Sequence, residues 1–195
     1  MSYEPKDFSR LLGTPGFSDQ LLNNHFTLYQ GYVKNTNILL EKLDVLLKSD
    51  QTATPEYAEL SRRLGWEFNG MRLHEYYFEN MSREGGKLSD SNGLTKRIVE
   101  EFGSYELWEK DFKAVGAMRG IGWVVMYDDP QGCLFNMWVN EHDVGHLAGC
   151  TPLLVMDVFE HAFMIDYGLK RADYISAFFN ALDWSVVQKR FETRR

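Results

Sequence analysis

Hydrophobic residues recur at three- and four-residue steps along residues 18–48, and the same spacing returns over residues 55–81. Ser18 and Asp19 supply an N-cap for the first stretch, and Pro55 suits the first turn of the second. The pattern predicts two long amphipathic helices joined by a short turn, which is typical of an antiparallel helical hairpin.

The pattern changes after the turn-rich residues 85–93. Helical spacing over residues 94–118 is interrupted near Gly103 and Ser104. Three short apolar runs follow, at Trp123–Tyr127, Cys133–Val139 and Leu153–Asp157, and then helical spacing at Phe159–Tyr167 and Tyr174–Phe191. We expect an α+β protein: an N-terminal long-helix hairpin packed on a C-terminal lobe with a three-stranded antiparallel sheet and flanking helices.

The change of pattern also predicts a boundary between two lobes. We assign residues 1–88 to the helical hairpin and residues 89–195 to the α+β lobe. The chain of 195 residues is 44% hydrophobic and 25% charged, which is the composition of a globular protein.

Charge and hydropathy exclude several functional classes. The formal net charge of −7 argues against binding to nucleic acid phosphates. No run of eighteen apolar residues and no apolar leader is present, so we expect neither a membrane span nor secretion, and a cytoplasmic location. Cys133 and Cys150 lack the spacing of a thiolate site, so a metal would be held by nitrogen and oxygen.

Asp157 and His161 stand four residues apart at a predicted junction of strand and helix. Such a pair is often a surface ion pair, but this one lies in an apolar stretch, where an unpaired charge is costly to bury. His25 and His74 lie on the inward stripes of the two long helices, where a histidine can also be an ordinary core residue. Together the four residues offer three imidazoles and one carboxylate, a donor set suited to iron, manganese or zinc.

Several motifs, in order, make the chain resemble the iron/manganese superoxide dismutases from about residue 17 to residue 191. Asp157–Phe163 reads DVFEHAF, similar to the family's DVWEHAY, and residues 174–184 are similar to its YxxxFWNxxNW. Gly120–Trp123 and Tyr32-Val33 also recur in the family's order.

The resemblance implies that His25, His74, Asp157 and His161 bind one iron or manganese ion per subunit, and that the ion cycles between two oxidation states to convert superoxide to oxygen and hydrogen peroxide. Three rival interpretations come from the residues themselves. A mononuclear non-haem iron oxygenase needs only two histidines and a carboxylate. A zinc hydrolase could use the same donors, and a helical binding protein could carry all these histidines in its core.

Three residues around the ligands take roles from the resemblance. Gly70 stands where iron-type members often carry Gln, so His142 is implied as the residue that hydrogen-bonds the metal-bound solvent. Tyr32 is implied as the gateway tyrosine, with Tyr29 as the alternative, because Tyr32 comes seven residues after His25 where the family has eight. Arg171 is implied as the cation that attracts superoxide to an acidic protein.

The resemblance also implies an assembly. In the family, a glutamate at the position of Glu160 crosses a twofold interface to a ligand histidine, here His161 of the partner subunit. We therefore expect a homodimer or a higher homo-oligomer. His146, four residues after His142, is expected to be structural.

Overall fold

The structure, a computed structural model, describes residues 2–89 and 92–193. In these two ranges, seven α-helices and three strands follow one another along the chain. They are α1 (Asp19–Lys48), α2 (Pro55–Glu79), α3 (Gly93–Phe102), α4 (Tyr105–Gly116), β1 (Gly122–Asp128), β2 (Leu134–Asn140), β3 (Thr151–Asp157), α5 (Met164–Tyr167), α6 (Arg171–Asn180) and α7 (Trp184–Thr193).

The two long helices form the predicted hairpin. The Ser18 hydroxyl accepts a hydrogen bond from the Leu21 amide at 3.1 Å, as expected of an N-cap. Pro55 lies in the first turn of α2, and the Thr54 hydroxyl caps that helix. The stripe on α1 is buried against α2 and the rest of the molecule, so its apolar spacing reports the face that packs. Buried on α1 are Leu21, Leu22, His25, Tyr29, Val33, Thr36, Leu39 and Leu46.

The three apolar runs form the predicted antiparallel sheet, with strand order β2-β1-β3. The central strand β1 is buried along its whole length, because both of its neighbours are paired and both sheet faces are covered. The pairing places Trp123 of β1 opposite Asp157 of β3. The carboxyl end of β3 therefore lies beside the start of β1.

The C-terminal helical segments are shorter than the sequence predicts. Residues 159–167 form a 3-10 turn (Glu160–Ala162) and then the four-residue helix α5, because Phe163, at φ −146°, interrupts the helical backbone. The stretch from Tyr174 to Phe191 is likewise divided into α6 and α7. Between them, the Asp183 amide donates to the Asn80 carbonyl at 2.6 Å instead of continuing the helix.

Both parts of the chain meet beyond the end of α2. The Asn80 side chain donates to the Val155 carbonyl of β3 at 2.6 Å, and Met81 forms an isolated bridge with Leu182. The division at residues 88 and 89 stays a prediction. Among the residues that the structure describes, no helix is long and apolar enough to span a bilayer. A cytoplasmic location also stays a prediction.

Candidate metal centre

Four side chains from four separate elements converge at one point. His25 comes from α1 and His74 from α2, Asp157 ends β3, and His161 lies in the 3-10 turn that follows. Their ligand atoms all lie within 4.8 Å of one another. The Nε2 atoms of His25, His74 and His161 lie 3.1, 3.6 and 3.2 Å from the same oxygen, Asp157 Oδ2. The structure thus brings together all four residues that the sequence singled out as ligands.

The orientation of the His74 ring leaves one nitrogen free for a ligand bond. Its Nδ1 lies 2.6 Å from the Gly70 carbonyl, which can only accept, so Nδ1 carries the proton and Nε2 presents a lone pair. Within the described ranges, this Nε2 is buried without a hydrogen-bond partner. A buried polar atom without a partner is costly unless something occupies its lone pair. The donor set therefore fits a metal ion.

Asp157 is held rigidly by its backbone surroundings. Its Oδ1 accepts a hydrogen bond from the Phe159 amide at 2.8 Å, and its carbonyl accepts one from the Tyr174 hydroxyl at 2.6 Å. Burial alone would raise the pKa of Asp157, but the adjacent His161 and His25 imidazoles hold it well below its usual range. The carboxylate is therefore ionised and directs Oδ2 at the three histidines.

The imidazoles of His25 and His74 are suited to binding because they are neutral. Burial lowers the pKa of His25, and burial together with the nearby His25 and His161 lowers the pKa of His74 well below its usual value. A neutral imidazole keeps a lone pair for a metal. His161 differs from the other ligands, since its side chain is 29% exposed while those of His74 and Asp157 are fully buried.

His142 lies in a closed aromatic box beside the four ligands. It is completely buried, and its ring contacts the rings of Tyr32, Trp66, Trp123 and Phe159. The Trp123 indole N–H donates to His142 Nδ1 at 3.1 Å, and His142 Nε2 lies 2.7 Å from the Tyr32 hydroxyl. Burial lowers the pKa of His142 to about 4, so this imidazole is neutral too.

The two candidate tyrosines of α1 lie in different surroundings. The Tyr32 ring stacks on His74 with centroids 5.2 Å apart, and its hydroxyl meets His142. The Tyr29 hydroxyl instead donates to Glu75 at 3.1 Å and accepts from the Lys6 amide at 3.0 Å. Helix α1 is regular between His25 and Tyr32, so a spacing of seven residues puts both on one face.

Gly70 makes room for the Tyr32 ring. A Cβ atom at Gly70 would lie 2.6 and 2.7 Å from Tyr32 Cδ1 and Cε1, closer than carbon atoms can approach. The glycine therefore lets the phenol ring lie directly against the backbone of α2.

Comparison with known proteins gives consistent matches. The family model for the C-terminal domain of iron/manganese superoxide dismutases matches residues 90–190. A manganese superoxide dismutase of Haloferax volcanii is 37% identical over 198 residues, which cover 98% of this chain and 96% of the relative. An iron superoxide dismutase of Aquifex pyrophilus is 37% identical over 195 residues, covering 97% of this chain and 91% of the relative. The chain belongs to the iron/manganese superoxide dismutase family.

Family membership decides among the interpretations left open by the residues. Neither an oxygenase, a zinc hydrolase nor a helical binding protein is needed to explain the four converging ligands. The relatives include proteins named for iron and proteins named for manganese, so family membership by itself favours neither metal.

Two neighbours of this dismutase site were not predicted from the sequence. Trp66 contacts the His142 ring with centroids 4.8 Å apart, and the Arg63 guanidinium lies 5.0 Å from the centre of the Trp66 ring. Both lie on the predicted helix α2, but the apolar stripe considered there omits them. The presence of a tryptophan next to a helical stripe was the one signal that the sequence offered.

Arg171 lies at the start of α6. Its guanidinium donates to the carbonyls of Met118 and Gly120 at 2.6 and 2.8 Å and lies over the Phe163 ring. Backbone carbonyls leave its positive charge uncancelled. By contrast, Arg63 forms a 2.7 Å ion pair with the buried carboxylate of Glu67.

Proposed function

We propose that His25, His74, Asp157 and His161 hold one iron or manganese ion and that superoxide dismutation takes place beside them. The observation that carries this proposal is the convergence of three Nε2 atoms on one oxygen of Asp157, with the Nε2 of His74 buried and unpaired. Superoxide is oxidised to oxygen in one half of the reaction and reduced to hydrogen peroxide in the other, and redox cycling of the bound ion supplies the electron chemistry.

The third histidine argues against the oxygenase alternative. That class uses two histidines and one carboxylate and leaves three positions open for oxygen and an organic substrate. Here His161 Nε2 is as close to Asp157 Oδ2 as His25 Nε2 is, at 3.2 against 3.1 Å. The four side chains together offer four protein ligands, so fewer coordination positions are left open for oxygen and an organic substrate.

Tyr32 is proposed as the group that presents a proton to the reaction. An indole N–H can only donate, so His142 Nδ1 accepts from Trp123, and the neutral ring carries its proton on Nε2. That N–H donates to the Tyr32 oxygen, which leaves the phenol proton free to be donated toward the ligands. Burial and the Asp157 carboxylate raise the pKa of Tyr32 to about 12, so the phenol keeps its proton at neutral pH.

His142 would then act through Tyr32. Both of its ring nitrogens have protein partners, and an imidazole has a single N–H where a glutamine amide has two. In place of the direct bond to metal-bound solvent that the resemblance implies, we therefore assign His142 to orienting the Tyr32 hydroxyl, and through it the solvent beside the ion.

Arg171 is proposed to attract the superoxide anion. The protein carries a net charge of −7, which opposes the approach of an anion, and the charge of Arg171 is uncancelled by its carbonyl partners. Arg171→Gln should lower kcat/KM and weaken its dependence on ionic strength. Arg63→Gln, which removes a cation already paired with Glu67, should change that dependence less.

A homodimer is proposed in which Glu160 reaches His161 of the partner subunit. Glu160 is exposed, and His161 is partly exposed. Met164, Ile165 and Leu169 beside them are exposed apolar side chains, 40, 47 and 92% exposed, which a second copy would cover. Glu160→Ala should weaken association in sedimentation and lower metal content together. Unchanged values of both would refute the pairing.

The central experiment measures superoxide dismutation by the protein reconstituted separately with iron and with manganese. Metal content is determined in each sample, and His74→Ala serves as the variant that lacks one ligand. At least one reconstituted form should far exceed free metal ion in rate, and His74→Ala should lose both metal and activity. If neither form is faster than free metal ion, the proposed function is wrong.

A further inference from the structure

His146 connects three elements around the box that contains His142. It lies in the loop between β2 and β3, four residues after His142. Its Nε2 lies 2.8 Å from the His142 carbonyl and 3.3 Å from the Asn69 amide of α2, and its Nδ1 lies 2.7 Å from the Tyr127 hydroxyl of β1. The imidazole therefore contacts the loop itself, the central strand and a long helix.

The direction of these hydrogen bonds follows from chemistry. A carbonyl can only accept, so His146 Nε2 carries the proton and donates it to the nearer His142 carbonyl. The Asn69 amide nitrogen is itself a donor, so it contacts this Nε2 without a hydrogen bond. Nδ1 then has a lone pair and accepts from the Tyr127 hydroxyl. Because Tyr127 is buried in the central strand, this bond ties the loop to a strand that is paired on both sides.

The loop needs such support because its backbone is strained where His142 turns inward. Glu141, directly before His142, has a φ of +53°, a left-handed conformation that is unfavourable for a residue other than glycine. Such conformations persist only where the surroundings enforce them. Within the loop, the backbone is held by the bridge between Asn140 and Val144, in which the Asn140 amide donates to the Val144 carbonyl at 2.7 Å.

We propose that His146 is a positioning residue for the dismutase reaction: its bond to the His142 carbonyl, anchored by Tyr127, holds the His142 ring between Trp123 and Tyr32. This inference rests on the proposed function of the site. The His142 ring bonds to Trp123 at one nitrogen and Tyr32 at the other, 3.1 and 2.7 Å away. A shift of its backbone lengthens one of these bonds, and hydrogen bonds weaken steeply with distance and angle.

The first measurement is independent of activity. Amide hydrogen exchange of residues 140–150 is followed by mass spectrometry in the metal-loaded protein, comparing wild type with His146→Leu, His146→Gln and Val144→Ala. Loss of both imidazole bonds in His146→Leu should speed exchange in the loop about tenfold. His146→Gln keeps an N–H donor for the carbonyl and should stay within about threefold of wild type. Val144→Ala shortens a side chain that is 59% exposed and should change nothing.

A second variant covers the case in which His146→Leu does not fold. Tyr127→Phe removes only the hydroxyl that anchors Nδ1, and it should speed exchange in the same loop several-fold. The proposal is wrong if neither His146→Leu nor Tyr127→Phe, where the variant folds, exchanges its loop amides faster than wild type.

The second measurement tests whether His146 acts through His142. With metal content unchanged, His146→Leu should lower dismutase activity in the wild-type background but add little in the His142→Ala background, because residues that act through one another are not additive. Equal losses in the two backgrounds, or loss of metal in His146→Leu, would overturn the positioning role. An inactive wild type would refute the proposed function, while the exchange comparison would still decide whether His146 holds the loop.

Discussion

The two halves of the metal centre are built in different ways. His25 and His74 come from the interiors of long regular helices, and each is placed by the apolar stripe of its helix. Asp157 and His161 come from a strand end and a 3-10 turn. Their neighbour His142 lies in a loop, directly after the left-handed residue Glu141. In the first half, the periodicity of each helix sets the direction in which its histidine points. In the second, individual hydrogen bonds orient Asp157 and His142.

This difference predicts different sensitivities. A helix tolerates substitutions on its solvent-facing side. Substitutions on its buried side disturb the site mainly when the new side chain clashes with its neighbours. An irregular segment depends on each bond that holds it, such as the bond from the Phe159 amide to Asp157 Oδ1. The point at which both halves meet, Asp157 Oδ2, is the most sensitive of all.

The largest effect is expected at that point. Asp157→Ala removes the oxygen on which three imidazoles converge, so metal content should fall below about a tenth of that of wild type. Elemental analysis after reconstitution measures this. Asp44→Ala, which alters an exposed carboxylate paired with Lys48 on α1, is the control and should retain full metal. Full retention by Asp157→Ala would contradict the ligand assignment.

The choice of tyrosine in the helical half should separate activity from stability. Tyr32→Phe removes the hydroxyl that is hydrogen-bonded to His142, so activity should fall about tenfold while the metal is retained. Tyr29→Phe removes bonds to Glu75 and Lys6, and should lower the free energy of unfolding by about 1–2 kcal/mol with activity retained. Kinetics and urea unfolding of both variants check this. A larger loss of activity in Tyr29→Phe would reverse the assignment.

A glycine pair on α2 tests the steric sensitivity of the helical half. Gly70→Ala places a methyl group within 2.6 Å of the Tyr32 ring, so the ring must move and activity should fall several-fold. Gly65→Ala, on the same helix with nothing but the helix's own neighbouring backbone near the added methyl, should keep activity and raise the free energy of unfolding by roughly 0.5–1 kcal/mol. Activity assays and thermal unfolding distinguish the two, and equal activities would show that the Tyr32 position is not critical.

A change in stability alone is expected from pH in the irregular half. Burial lowers the pKa of His142 to about 4, below its usual 6.5. As pH falls, this imidazole is therefore protonated in the unfolded chain before it is protonated in the folded one. The free energy of unfolding should decrease as pH falls from about 6.5 toward 4. Between pH 7 and 5, His142 should cost the metal-free protein ~2 kcal/mol. His142→Gln, which cannot titrate, should show a loss smaller by that amount in urea unfolding. Identical pH slopes would mean that the imidazole is not buried neutral.

The predictability of the site follows the same division. The ligands His25 and His74 could be found from their places on apolar stripes, and Asp157 and His161 from their spacing in an apolar stretch. The surroundings of His142 could not be found in this way. Its partner Tyr32 lies 110 residues away, and Trp66 contacts it from a position beside the apolar stripe on α2.

Local patterns in the sequence predict the two long helices with their caps, the three strands and the four candidate ligands, because helical periodicity, short apolar runs and the spacing of neighbouring side chains are local properties of the chain. Three further features arise from packing: Phe159–Tyr167 divides into a turn and a short helix, Tyr32 rather than Tyr29 meets His142, and His146 bonds to the carbonyl of His142. These features depend on which groups far apart in sequence come within about 3 Å when the helices pack on the sheet, and no local repeat encodes such distances.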